Sequence, residues 1–477
     1  MKMVKSLLLG SAAGLVAVAG AQAADLPVKA KAVEYVKVCS LYGAGYYYMP
    51  GTDICLKLGG VVRYQASANP GASPSNGPLS SGNQHTRTNS LDLIQRTRAA
   101  ITVDTRQQTA YGTLRTYLLL GYQQDTSAAE SPSPSVYMTR GFLQIAGFTF
   151  GKATSFFDIM PGASFAYNAG FFHHPDTGDA GKMVAAYTAQ FGNGVSATVA
   201  MQQAARGTTV YVASAAAVGL GQPGTGPASN NLGGLAAGTG MPDFVGNIRV
   251  DQAWGTMMVA AALHNASGGY YGTSEAGGHP GDKYGWAVTG GFVLNLPMIG
   301  AGDRLAAAMV YSNGAIKYAS VTPTGATGAM AGFNGGSVGY GFIPDAVYGP
   351  SPSAIELTTA WSTSAAFEHF WTPAVRTSIY GSYLNVTHTA NAKSIICGTA
   401  CNPDWSAWNI GSRTQWEPVR GLVMGVDVIY SKLTSQTSTT GSTVALAANG
   451  AKPAGTYTIA DQSAWVGTFR IERAFLP

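Results

Sequence analysis

Polar and apolar residues alternate with a period of two along many short segments of this chain. Between Asp53 and Gln65, the odd positions carry Lys57 and Arg63, whereas most even positions carry leucine, valine or tyrosine. Such alternation predicts a β-strand with one polar and one apolar face. The same division recurs in five further segments, at residues 92–106, 244–251, 375–383, 408–416 and 422–431.

The connections between these predicted strands alternate between short and long. Short connections are predicted at residues 107–110, 147–148, 192–194, 253–255, 297–303, 371–374 and 417–419. Long connections are predicted near residues 68–89, 125–135, 155–182, 204–242, 265–283, 313–353, 387–404 and 433–462. Seven short and eight long connections predict sixteen strands. Tight turns at one end and long loops at the other are typical of an outer-membrane β-barrel.

The energetic cost of burying charge in lipid decides which face of the strands points inward. An arginine at the bilayer midplane costs about 2–4 kcal/mol on the lipid face of a barrel. Arg96, Arg98, Arg115 and Arg140 would together cost roughly 8–16 kcal/mol, which approaches the whole stability of a typical fold. We therefore expect them to face the lumen, which is too wide in a sixteen-stranded barrel for side chains to fill.

A soluble secreted β-sandwich would show the same alternation and remains an alternative. Aromatic residues near strand ends, such as Trp408 and Trp416, favour the membrane barrel because they are typical of its interfacial girdles. Phe475 near the end of the chain also favours it.

The N-terminal residues predict export. Lys2 and Lys5 precede an apolar run, and Ala21-Gln22-Ala23 is a small-residue cleavage site. The run is too short for a membrane anchor of about 20 residues. We expect residues 1–23 to be a signal peptide, residues 24–52 an N-terminal periplasmic segment and residues 53–477 the transmembrane barrel.

Charge and motifs argue against catalysis and nucleic-acid binding. The chain has 28 lysines and arginines against 23 acidic residues, without a basic block that would bind nucleic acid. His173-His174 lacks a carboxylate or cysteine framework for a metal. No constellation of nucleophile, base and acid emerges, so the sequence predicts no enzyme and no cofactor.

The four cysteines form two local pairs, Cys39 with Cys55 and Cys397 with Cys401. In an exported chain they point to disulfides, and a zinc site is the weaker alternative because no histidine lies near them.

Three segments resemble the alphaproteobacterial general porins. They read YVKVCSLYGAGYYYMPGTDICLKLGGVVRY (residues 35–64), TRQQTAYGTLRTY (residues 105–117) and QIAGFTFGKATSFFD (residues 144–158). The resemblance extends along the full length and implies a trimeric, sixteen-stranded antiparallel barrel whose third long loop folds into the pore. It also implies a disulfide between Cys39 and Cys55. The two residues after Phe475 and the long loops at 204–242 and 313–353 depart from the family pattern.

The third long connection, residues 155–182, carries the candidate filter. Its acidic residues Asp158, Asp176 and Asp179 are expected to face an arginine wall across the pore, while five phenylalanines hold the loop by burial. The wall consists of Arg63, Arg96, Arg98, Arg115 and Arg140, and the phenylalanines are Phe156, Phe157, Phe165, Phe171 and Phe172. Opposite charges across a narrow gap set up a transverse field that favours small hydrated solutes.

The sequence therefore predicts a passive diffusion channel for small hydrophilic solutes and ions in the outer membrane of a Gram-negative cell. We expect outer-membrane lipid, lipopolysaccharide and two further copies of the chain, in a homotrimer, as partners. A solute-selective channel and a non-conducting adhesin or structural barrel remain the alternatives.

Overall fold

The computed structural model describes most of the predicted barrel. The described residues are 37–69, 93–126, 135–160, 164–167, 181–205, 209–212, 241–271, 275–320, 329–397, 402–434, 443–446 and 453–475. The predicted signal peptide, Asp176, Asp179, Phe171, Phe172 and Cys401 lie outside these residues, so the predictions made for them stay predictions.

Within the described residues, sixteen strands form one closed antiparallel barrel, as the sequence predicts. Each strand pairs with its neighbours, and β16 pairs with β1 from Gly60 opposite Phe475 to Ala68 opposite Gly467. In chain order the strands are β1 Cys55–Ala68, β2 Leu93–Thr109, β3 Gly112–Asp125, β4 Ser135–Ile145, β5 Phe148–Ala153, β6 Lys182–Gly192, β7 Val195–Gln202, β8 Asp243–Gln252, β9 Gly255–Ala266, β10 Lys283–Asn295, β11 Arg304–Asn313, β12 Thr359–Thr372, β13 Val375–Thr387, β14 Trp405–Val419, β15 Leu422–Thr434 and β16 Gln462–Phe475.

The two faces of the strands have the predicted orientation. On the outer face, Ile101 is 54% exposed and Ile379 is 57% exposed, as expected for side chains that contact lipid. On the inner face, Arg96 is 7% exposed and Asp427 is fully buried among other side chains. Apolar side chains therefore point outward and charged side chains point into the lumen.

A β-bulge in β4 turns Arg140 toward the lumen. The register between β3 and β4 shifts, so that Leu120 lies opposite Met138 whereas Leu119 lies opposite Arg140. Thr139 is the additional residue. Because a bulge reverses the parity of the residues that follow it, Met138 and Arg140 point to opposite faces although both are even-numbered.

One end of the barrel, here called the turn side, has the short connections. Ala146-Gly147 and Asn193-Gly194 are two-residue turns in which both residues have positive φ. This conformation matches the twist of the hairpin strands.

The N-terminal segment also lies at the turn side. A disulfide joins Cys39 to Cys55 at the start of β1, as the family resemblance implies. Tyr47 and Tyr48 pair with Leu56 and Cys55, which adds two residues to the sheet at the rim of the barrel. The boundary between this segment and the barrel at residue 53 stays a prediction.

At the opposite end, here called the loop side, several long connections fold together into a cap. Thr209–Tyr211, after β7, pairs in parallel with Ala346–Tyr348, after β11. Ser337–Phe342, also after β11, pairs in parallel with Gly455–Ile459, which precedes β16. The cap has its own apolar core, a buried cluster that includes Val347, Phe342 and Ile396 of the helix Ala390–Cys397.

A buried histidine ties the cap to the barrel. His264 Nδ1 lies 2.7 Å from Asp243 Oδ1, and His264 Nε2 lies 3.4 Å from Asp345 Oδ2 in the cap. Asp345 also accepts a hydrogen bond from the backbone N–H of Ile316 at 2.9 Å.

No helix within the described ranges combines the length and the apolar character needed to cross a bilayer.

The assignment of the two faces predicts opposite effects for neighbouring substitutions in β2. Ile101→Arg places a charge in lipid and should lower the free energy of unfolding by about 2–4 kcal/mol near the midplane. Thr102→Arg places the same side chain in the lumen and should change it by less than 1 kcal/mol. Urea unfolding in lipid vesicles measures both, and equal losses would contradict the orientation.

The disulfide predicts that the N-terminal segment can be released without loss of the barrel. Closing a loop of about 15 residues contributes about 3 kcal/mol in the chain-entropy model. Cys39→Ser should therefore expose residues 37–54 to protease, while β1 stays held by its ladders to β2 and β16. Mass spectrometry of limited digests measures this, with Ser40→Ala as the control, and an unchanged digest would contradict it.

Candidate functional site

The connection after β5 enters the barrel, as predicted for the third long loop. Ser155 Oγ donates a hydrogen bond to Gln202 Oε1 of β7 at 3.0 Å, and Asn247 Nδ2 of β8 donates to the carbonyl of Phe156 at 2.6 Å. Further along, the hydroxyl of Ser378 in β13 donates to a carbonyl of the same loop, that of Phe165. The described part of the loop thus follows the inner wall from β7 toward β13.

Aromatic burial holds the loop against this wall. Phe157 and Phe165 are fully buried. The ring centres of Phe157 and Tyr318 are 4.6 Å apart. The guanidinium carbon of Arg304 lies 5.1 Å from the ring centre of Phe165. Phe156 contacts the same apolar cluster and is partly buried.

Tyr167 fixes the far end of the described loop to β14, β15 and β16. Its backbone N–H donates to Asp427, and its hydroxyl accepts a hydrogen bond from Gln415 Nε2 at 3.1 Å. Its carbonyl accepts from Arg470 Nη2 at 3.2 Å, and the Arg470 guanidinium lies 4.2 Å from its ring centre. Burial raises the pKa of the Tyr167 hydroxyl, which therefore stays protonated at neutral pH.

The structure brings three of the five predicted wall arginines together on β1 and β2. Arg63 lies directly opposite Arg98 in the ladder, and Arg96 lies two residue pairs further toward the loop side, opposite Gln65. Arg96 Nη2 lies 2.7 Å from Asp125 Oδ2, and Arg98 Nε donates to the Gln123 side chain at 2.8 Å. Arg63 forms an ion pair with Glu472 of β16.

The other two predicted wall arginines lie nearer the turn side. Arg115 is opposite Arg106 in the ladder, and its Nη2 lies 2.8 Å from Asp104 Oδ2. Arg140 Nη1 donates to the carbonyl of Thr139 at 2.7 Å. The five arginines thus occupy several successive rows of the sheet.

Of the predicted acidic residues, only Asp158 lies within the described part of the chain. It is near the start of the loop and interacts electrostatically with Lys182 and Tyr318. Its role opposite the arginines stays a prediction.

Four additional arginines lie on β11, β13, β14 and β16, and those on β11, β14 and β16 contact the loop. Three of them share one carboxylate, that of Glu368 in β12. Their distances to the Glu368 oxygens are 2.5 Å for Arg304, 3.0 Å for Arg413 and 3.7 Å for Arg376. Arg470 is the fourth and contacts Tyr167.

These side chains surround a polar space of about 300 Å³, here called the basic cavity. Its lining residues are Arg63, Ser164, Tyr167, Arg304, Arg376, Arg413, Gln415, Val423, Arg470 and Glu472. Sequence periodicity places Arg376 and Arg413 on the polar face of their strands. It does not give the register between strands or the position of the loop on the inner wall. Guanidinium groups in such a space bind and orient anionic groups without making or breaking covalent bonds.

Comparison with known proteins identifies the relatives of this chain. The family model described as "Porin subfamily" matches residues 25–468. The porin Omp2b of Brucella melitensis is 33% identical over 266 residues, which are 53% of this chain and 64% of that protein. The porin Omp2b of Brucella canis is 32% identical over the same shares of the two chains. The matched part thus spans 64% of the length of these relatives.

Among solved structures, the outer membrane channel DcaP of Acinetobacter baumannii has a similar fold. The two superpose with a TM-score of 0.57 at 14% sequence identity, over 90% of this chain and 99% of that one. This similarity bears on the fold alone and agrees with the closed barrel.

Packing of Phe165 predicts how firmly the loop is held. Removing a buried phenylalanine side chain typically costs 3–5 kcal/mol. Because Phe165 belongs to the loop, Phe165→Ala should speed amide hydrogen exchange in residues 155–167 by at least about tenfold and leave the barrel strands unchanged. Phe148→Ala, on the lipid face, is the matched control. Equal exchange in both variants would contradict the proposed anchoring.

Proposed function

The chain belongs to the porin subfamily and lies in the outer membrane, and from that premise we propose that it forms a water-filled channel for passive diffusion of small hydrophilic solutes and ions. One observation carries the proposal: a closed sixteen-stranded barrel with a charged inner face holds a loop inside its lumen. Since side chains alone do not fill a barrel of this width, the loop narrows an aqueous passage.

We assign the filter to the arginines of β1 to β4 and the loop that faces them. The described loop contacts β7, β8 and β11 to β16. The passage therefore runs between the loop and the wall that carries Arg63, Arg96, Arg98, Arg115 and Arg140. Asp158, Asp176 and Asp179 supply the opposite charge on the loop. Charges of opposite sign across such a gap orient dipolar solutes and limit their size.

The proposal includes the surroundings of the barrel. Lipid and lipopolysaccharide contact its apolar outer face, residues 24–52 lie in the periplasm, and three copies assemble into a homotrimer. No catalytic step is part of this function.

Planar-bilayer recording tests the proposal directly. Purified protein should insert in discrete conductance steps and pass ions of both signs. Absence of steps from protein that is correctly folded would contradict the channel and favour the adhesin or structural alternative. Concentration-dependent block by one solute would instead favour a solute-selective channel.

The arginine wall predicts a change of ion selectivity. In water, a unit charge about 10 Å away contributes about 0.4 kcal/mol to the energy of a passing ion. Replacing both Arg96 and Arg98 by Ala should therefore raise the cation-to-anion permeability ratio by at least about fourfold. Reversal potentials in a salt gradient measure this ratio.

The matched control removes two arginines at the turn-side rim. Arg473 donates a hydrogen bond to the carbonyl of Arg420 there, away from the loop. Replacing Arg420 and Arg473 by Ala removes the same charge and should alter the permeability ratio much less. Equal reversal potentials in the two double variants would remove Arg96 and Arg98 from the filter.

A further inference from the structure

Arginines outnumber carboxylates among the described residues that line the basic cavity. This lining includes five arginines, and Glu368 and Glu472 pair with four of them. Glu368 is shared by three guanidinium groups, and Glu472 pairs with Arg63. Asp427 also attracts Arg413, and its oxygens accept hydrogen bonds from the Tyr167 backbone N–H and the Tyr380 hydroxyl.

Arg470 is the lining arginine whose hydrogen bonds go to neutral groups. Its Nε and Nη2 donate to the Gln65 side-chain oxygen at 3.1 and 2.8 Å, and Nη2 also donates to the Tyr167 carbonyl. Within the described residues, no carboxylate is recorded at ion-pairing distance from this guanidinium. Arg63 and Arg413 repel this guanidinium, whereas Glu472 attracts it from beyond ion-pairing distance.

Partial burial of an uncompensated cation is unfavourable, and an anion in the cavity relieves it. Arginine is suited to this role because its planar fork matches the two oxygens of a carboxylate or phosphate group. Arg376 adds a second guanidinium, whose Nε donates to the Gln415 side-chain oxygen at 2.9 Å.

The loop contributes a neutral donor to the same cavity. The Tyr167 hydroxyl accepts a hydrogen bond from Gln415, so its own proton remains available for an oxygen of a solute. A space of about 300 Å³ holds about ten water molecules at roughly 30 Å³ each, and hence a solute of similar size.

We propose that the basic cavity is a saturable binding subsite for small oxyanions, namely solutes that carry a carboxylate or phosphate group. Arg470 and Arg376 bind the anionic group. Tyr167 belongs to the loop, so it couples occupancy of the subsite to the position of the loop. If the protein is a channel, the subsite gives it a preference for oxyanions, and this preference rests on the proposed function. Binding of the oxyanion to the protein does not depend on it.

Saturation-transfer NMR on detergent-solubilised, folded protein tests the binding. Lactate is the probe for a carboxylate, lactamide is its neutral counterpart, and inorganic phosphate is added as a competitor. We expect a saturable lactate signal, no comparable signal from lactamide, and displacement of lactate by phosphate. Failure of phosphate to displace lactate would contradict the proposal for phosphate groups.

Arg470→Gln should weaken lactate binding by about tenfold, because a hydrogen-bonded charge partner of the anion is lost. Arg249→Gln is the matched control, since Arg249 is a lumen-side arginine already paired with Asp251 at 2.7 Å. It should bind lactate as the parent protein does. Folding is judged by the difference in gel mobility between unheated and heated protein. If Arg470→Gln does not fold, Arg376→Gln is used in its place.

Three results would overturn the subsite: no lactate signal in the parent protein, equal binding of lactamide, or equal losses in the cavity and control variants. Bilayer recording separates this failure from failure of the channel. A protein that opens conductance steps but binds no lactate loses only the subsite. A protein that binds lactate through Arg470 but opens no steps keeps the subsite and loses the channel.

Discussion

Closure of the hydrogen-bonded ladder is the constraint on which the rest of this structure depends. Hydrocarbon offers no partner to a backbone N–H or carbonyl, so a sheet can cross it only if no edge is left open. Pairing of β16 with β1 removes that edge. Because a strand presents alternate side chains to its two faces, closure also separates an apolar outside from a charged inside.

Closure of the barrel also determines which charged residues become neighbours. Arg376 and Gln415 lie opposite one another in the ladder between β13 and β14, and Arg470 and Gln65 lie opposite one another between β16 and β1. Residues distant in sequence are thereby placed along one inner wall. The loop then lies against that wall through buried rings and through the hydrogen bond from Tyr167 to Asp427, so its position depends on the same register.

The sequence predicts the architecture well because alternation and turn spacing are local signals. It predicts the boundaries less well. The expected turn at residues 417–419 belongs to β14, which continues through Pro418 to Val419 by a shift of register after Trp416. A proline lacks the N–H needed for a regular ladder, which explains the expectation, but an irregular strand end accommodates it.

The site is predicted only in part. Arg63, Arg96 and Arg98 adjoin one another because they lie on neighbouring strands, whereas the sharing of Glu368 by Arg304, Arg376 and Arg413 depends on contacts among four strands. The cap is also absent from the sequence-based picture, since residues 313–353 show no regular alternation. In the structure, Ser337–Phe342 and Ala346–Tyr348 of this connection nevertheless form strands. They pair with strands of other connections, Gly455–Ile459 and Thr209–Tyr211.

The parallel pairing inside the cap has a consequence for biogenesis. Ser337–Phe342 needs Gly455–Ile459, which is separated from it by more than a hundred residues and four complete barrel strands, β12 to β15. Contacts of such sequence separation form slowly. Each partner has a local hairpin of its own, with Ala329–Asn334 and Thr443–Leu446 respectively. We therefore expect these hairpins to form first and the parallel contact between them to complete the outer surface of the protein only after β12 to β15 have been added.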